Sequence, residues 1–163
     1  MLQIGDYVVS ASNGVCKIDE EVWQDWSGEK RLYFLLVPIK EKGSKVYIPV
    51  EHAEERIRKA MTEEEARAFM SKLKTIPALT IENEKLCEKE YKAAVYSGDP
   101  IKVAKVIKTI YSRRQKRLSS GKKVTAVDER YFKMAIHVLH SELAYALGCE
   151  ENEVESKIIS ALE

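Results

Sequence analysis

Apolar and polar positions alternate in the first fifty residues, and the period then changes. Tyr7-Val-Val-Ser leads into Asn13-Gly14, a tight hairpin signal, and a run from Val15 to Trp23 follows. Asp25-Trp-Ser-Gly28 predicts a second turn, and Leu32-Tyr-Phe-Leu-Leu-Val37 a strand apolar on both faces. Glu41-Lys-Gly-Ser44 then turns into a last short strand, Lys45-Val-Tyr-Ile-Pro49. Pro49 ends it, because proline has no amide hydrogen to give to a ladder. Four or five short strands at this spacing predict a small antiparallel barrel.

Helical spacing follows. Thr62-Glu-Glu-Glu65 is a capping box that opens a helix to about Lys74, which Pro77 closes. A second helix, from about Glu82, stops at Ser97-Gly98. Asp99-Pro100, an N-cap with proline behind it, starts a third. Ser119-Ser-Gly121 breaks that helix, and Thr125 with Asp128 starts a long one that ends at Gly148. Apolar residues cover more than half the circumference of the long helix, which predicts that it lies at the centre of a bundle. Glu150 to Leu162 forms a last helix. The class is α+β: a β domain over 1–55, a helix and linker over 56–80, and a compact all-α domain over 81–163.

Charge changes this picture. Net charge is only +1, yet Lys102 to Lys123 holds nine Lys/Arg and no acid. At about 100° per residue Val103, Ala104, Val106, Ile107, Ile110 and Tyr111 share one arc, with Lys102, Lys105 and Lys108 opposite. Residues 84–133 carry fourteen Lys/Arg against six acids, while Met134 onward has six acids and one Lys. Solvated helices interleave acids with bases. A buried stripe backed by unpaired cations instead predicts polyanion binding. Lys85, Lys89 and Lys92 add a cationic ridge, and with Arg113, Arg114, Lys116 and Arg117 they are expected to line one phosphate-facing surface.

Catalytic chemistry has little to stand on. The chain lacks a phosphate-binding glycine loop, Cys-x-x-Cys, His-Glu-x-x-His and Gly-x-Ser-x-Gly. His137 and His140 are three apart, but Arg130 and Lys133 share their arc and make a poor surrounding for a dication. No enzyme, metal or cofactor is therefore expected, and the two histidines are read as solvated or phosphate-facing. Cys16, Cys87 and Cys149 are odd in number and far apart, which fits buried small hydrophobes in a reducing cytoplasm. No window approaches the roughly 18 apolar residues of a membrane span. Among the aromatics of the β half, Trp23, Tyr33, Phe34 and Tyr47 are read as core, and Trp26, in its turn, as an exposed contact.

Several stretches together resemble the CarD/CdnL family of bacterial transcription regulators, whose N-terminal domain is shared with the transcription-repair coupling factor. They are Ile4-Gly-Asp-Tyr-Val-Val9 with Asn13-Gly-Val15, Tyr33-Phe-Leu-Leu36, and Val46-Tyr-Ile-Pro-Val-Glu-His-Ala-Glu54. In the α half they are Tyr91-Lys92, Ser97-Gly-Asp99 with Lys102-Val-Ala-Lys-Val106, and Ser141-Glu-Leu-Ala144. The resemblance implies a Tudor/SH3-like N-terminal barrel that docks on the RNA polymerase β subunit. It also implies a helical C-terminal domain that touches promoter DNA at the upstream edge of the transcription bubble and stabilises the open complex. It assigns Gln24, Trp26, Tyr33 and Tyr47 to polymerase, and Lys89, Lys92 and Arg113 to DNA. The family's minor-groove tryptophan, four residues before the position of Tyr91, is Cys87 here, and the preceding Leu86 is the remaining apolar wedge. Gln24 and Tyr47 stand where some members have arginine, which implies a less electrostatic polymerase contact. The expected protein is a cytoplasmic, nucleoid-associated monomer, with a strand-swapped dimer as the alternative. A protein-interaction adaptor without DNA binding is the competing function.

Overall fold

The computed structural model describes residues 1–163 and divides into two compact units, Met1–Ala60 and Met61–Glu163. The first holds five strands: β1 (Tyr7–Ser10), β2 (Gly14–Gln24), β3 (Arg31–Pro38), β4 (Val46–Pro49) and β5 (Ile57–Lys59). They form one antiparallel sheet in the order β4-β3-β2-β1-β5. A meander whose last strand returns to the first is the strand order of the expected small barrel. Gly14 takes φ 68°, so the β1–β2 hairpin needs glycine there. A register shift between Ile18 and Glu20 marks a bulge that bends the long β2–β3 ribbon. Val8, Cys16, Ile18, Phe34, Leu36, Ile48, Ala53 and Ile57 form the core of this unit.

The alternating pattern predicts a last strand ending at Pro49 and a β domain ending at 55. The structure adds β5, three residues pairing Ser10 with Ile57 and Val8 with Lys59. Ile-Arg-Lys is too short to show a period, and only its pairing with β1 makes it a strand. The segment 56–80, expected to be a helix and linker, is divided: β5 joins the sheet, while Met61, Phe69, Leu73 and Ile76 enter the helical core.

The second unit comprises α1 (Glu63–Lys72), α2 (Cys87–Tyr96), α3 (Pro100–Ser119), α4 (Ala126–Leu147) and α5 (Glu151–Leu162). Thr62 and Glu65 make both halves of the capping box, Asp99 accepts from the Ile101 amide, and Thr125 accepts from the Asp128 amide. Gly148 ends α4 in the left-handed conformation at φ 65°. α4 packs against α1, α2, α3 and α5, so the long helix is central as its apolar breadth predicts. The start of α2 lies later than expected. Glu84–Leu86 is a 3-10 turn, with the Asn83 side chain accepting from the Lys85 amide at 3.0 Å, and α2 begins at Cys87. No helix is long and apolar enough to cross a membrane.

Candidate functional site

The residues singled out above are divided between the two units. In the β unit, Tyr47 pairs with Leu35 and Pro49 with Tyr33, so Tyr33 and Tyr47 are diagonal neighbours on one sheet face. The β2–β3 turn brings Trp26 over them, with ring centroids 4.9 Å from each, tilted against Tyr33 and edge-on to Tyr47. Such offset aromatic contacts favour a fixed ring geometry. Trp26 nevertheless remains 58% exposed. Gln24 is half-buried at the neighbouring strand end, opposite Arg31.

Of the aromatics expected in the core, only Phe34 lies there. Tyr33 and Tyr47 are half-buried on the outer face, and Trp23 is 60% exposed beneath Lys30. The β2–β3 ribbon runs on past the core, so Trp23 overhangs solvent on the strand face that buries Phe34 further in. Sequence alternation reveals the face of a residue but not where the core stops.

In the helical unit the turn before α2 is the meeting point. Lys85, Leu86, Lys89 and Lys92 are exposed there, Leu86 at 43%. Cys87 is buried at 4%, inside the helical core. It therefore offers no surface to DNA. This corrects the expectation, carried by the family's tryptophan position, that Cys87 is a DNA contact, and agrees with its reading as a buried small hydrophobe. The first turn of α2 places it inward with Tyr91. Arg113 is also not a free cation. Its Nε donates to Asp128 Oδ2 at 2.9 Å and its Nη2 to Glu84 Oε1 at 2.9 Å. The Tyr91 hydroxyl donates to the other Asp128 oxygen at 3.1 Å.

The electrostatics follow from this geometry. Hydrogen bonding to Arg113 and its charge, with smaller pulls from Arg117 and Lys122, hold the Glu84 carboxyl below the usual carboxylate range. Burial works against the Arg113 cation, but its two carboxylate partners outweigh it and push its pKa up. Burial, then the charge of Asp128, raises the Tyr91 phenol well above its ordinary value, so it stays protonated as a donor. Burial likewise raises the Cys16 thiol to about 11, which leaves it unreactive.

Other cations also have structural tasks. Arg114 lies over the Phe132 ring and Arg117 Nε donates to the Lys123 carbonyl. Lys108 Nζ donates to the carbonyls of Lys74 and Ile76 at 2.9 and 2.5 Å, tying down the end of the α1 segment. Arg130 pairs with Glu88 and lies over Tyr131. Lys116, Lys122 and Lys123 stand exposed.

The ion pairs of α2, α3 and α4 join these helices to one another. His140 faces Glu151 of α5, with 3.3 Å between Nδ1 and Oε2, and is 9% exposed, so it is neither solvated nor phosphate-facing as expected; His137 is exposed. Sequence reasoning had no signal for Glu84 or Asp128 as partners of Arg113, because they lie 29 and 15 residues away from it.

Against known protein families, residues 2–61 match the CarD-like/TRCF RID domain and residues 82–159 match the CarD C-terminal domain. No curated protein matches the chain.

Proposed function

The chain belongs to the CarD-like family of RNA polymerase-interacting transcription regulators, and from that membership we propose how its two units divide the work. The β unit holds the β subunit of RNA polymerase through Trp26, Tyr33, Tyr47 and Gln24. The helical unit lies on promoter DNA at the edge of the bubble and lengthens the life of the open complex. Lys85, Lys89 and Lys92, with Arg114, Lys116 and Arg117, face phosphates, and Leu86 enters the minor groove as the wedge. Apolar side chains of this size can part a base step. Tethering through polymerase lets a weak DNA contact suffice. No chemistry is performed.

The observation that carries this reading is the exposed Leu86, set between Lys85 and Lys89 with Arg117 and Lys122 acting on the same turn. Neutralising phosphates releases counterions, so DNA affinity of the full chain should fall with salt. Replacing Lys85, Lys89 and Lys92 together by Ala should lower the log–log salt slope by about 1 for every phosphate the variant no longer neutralises. A slope near zero for the wild-type chain would remove DNA from the proposal and leave the protein-interaction adaptor.

A further inference from the structure

Two carboxylates bracket the exposed Leu86, Glu84 two residues before it and Glu88 two residues after. Acids beside a polyanion repel it, so their place on this turn requires a reason. Each is engaged by an arginine from a different helix: Glu84 by Arg113 of α3, and Glu88 by Arg130 of α4. Arg113 is in turn fixed from behind by Asp128, which is 1% exposed and also takes the Tyr91 hydroxyl. The turn's other anchors lie on its inner side. The Asn83 side chain accepts from the Lys85 amide, the Leu86 amide donates to the Asn83 carbonyl, and Cys87, the first residue of α2, is buried in the core. Leu86 itself stays exposed and makes no side-chain cap.

We infer that Arg113 and Arg130 are positioning residues, which hold Leu86 at a fixed place and angle by gripping Glu84 and Glu88 rather than by touching DNA. Leucine is a short side chain, so its power to part a base step depends on where it is held. The planar fork of Arg113 reaches two carboxylates at once, one through Nε and one through Nη2, a geometry that the point charge of a lysine does not reproduce. Pairing also offsets the acids' charge: Arg113 and Arg130, with the neighbouring Lys85, balance Glu84, Glu88 and Asp128. This inference rests on the DNA reading proposed above.

The test compares the full-length double variant Glu84→Gln, Glu88→Gln with Leu86→Ala, using open-complex lifetime on a promoter with RNA polymerase and amide hydrogen exchange at residues 85–87 in the free protein. Both acids are largely exposed, so the double variant keeps its fold, which a melting curve verifies. The positioning role requires faster exchange at those amides and an open-complex lifetime shortened about twofold to threefold, toward that of Leu86→Ala. It requires this although two negative charges have been removed. If the arginines instead served phosphates, freeing them would lengthen the lifetime and steepen the salt slope. Unchanged exchange, or a longer lifetime, overturns the inference. Arg113→Lys supplies the converse arm: charge is kept and the fork is gone, so the lifetime should fall while the salt slope holds. Should Leu86→Ala match wild type in lifetime, the wedge role of Leu86 in the proposed function is what fails, and the exchange data still decide whether the turn is held.

Discussion

Asp128 combines near-complete burial with full engagement of both its oxygens, one by Arg113 and one by the Tyr91 hydroxyl. Losing Asp128 strands the Tyr91 hydroxyl in the core and takes the inner partner from Arg113, which keeps Glu84. Asp128→Ala should therefore cost about 2 kcal/mol. The measurement is a lower urea midpoint at unchanged m-value, and a midpoint within error of wild type would show that the network carries no stability. Glu84 behaves differently because it is exposed. Its folded pKa lies below its unfolded one, so its pairing helps above about pH 4 and disappears as pH falls through the folded value. Solvent screening keeps that contribution small. At this scale Lys85, Lys89 and Lys92 are recognisable from sequence as exposed cations, and the structure agrees. The pairing of Arg113 is not, because a partner many residues away is a property of the folded chain.

The starts of α1, α3 and α4 and the end of α4 fall where local chemistry dictates, at Thr62, Asp99-Pro100, Thr125 and Gly148. Thr62→Ala removes the hydroxyl that accepts from the Glu65 amide and should destabilise the helical unit by about 1 kcal/mol, as read in thermal melting. The 3-10 turn before α2 is invisible in the pattern, since three residues carry no period of their own. Its importance is out of proportion to its length: it presents Leu86 and Lys85 together, and the pairs from Glu84 to α3 and from Glu88 to α4 join it to the bundle. β5 illustrates the same limit in the other unit, where pairing with β1 creates a strand from Ile57–Lys59.

For the whole molecule, the two units carry different kinds of surface. One carries the exposed aromatic cluster of Trp26, Tyr33 and Tyr47; the other is cationic and partly neutralised by its own acids. The combined replacement Trp26→Ala, Tyr47→Ala should abolish retention of RNA polymerase by the full chain while leaving DNA affinity and its salt slope as in wild type. Polymerase retained equally by the variant would remove that cluster from the interface. The direction of this effect follows from interface energetics, in which a few exposed aromatics on a firm base supply most of the binding.

Period, turn residues and caps are local, and they alone specified the α+β class, the β-then-α order and the central place of α4. Local signals also marked the charge segregation. What they left open was decided in three dimensions: which cations are free, which are bound to carboxylates, and which aromatics lie beyond the end of a core. A charge on a helix face looks alike in sequence whether it faces solvent or an acid on another helix, because Coulomb pairing depends on distance through space. The folded chain brought Glu84 and Asp128 to Arg113, and with that approach a residue expected to meet phosphate acquired a partner within the protein.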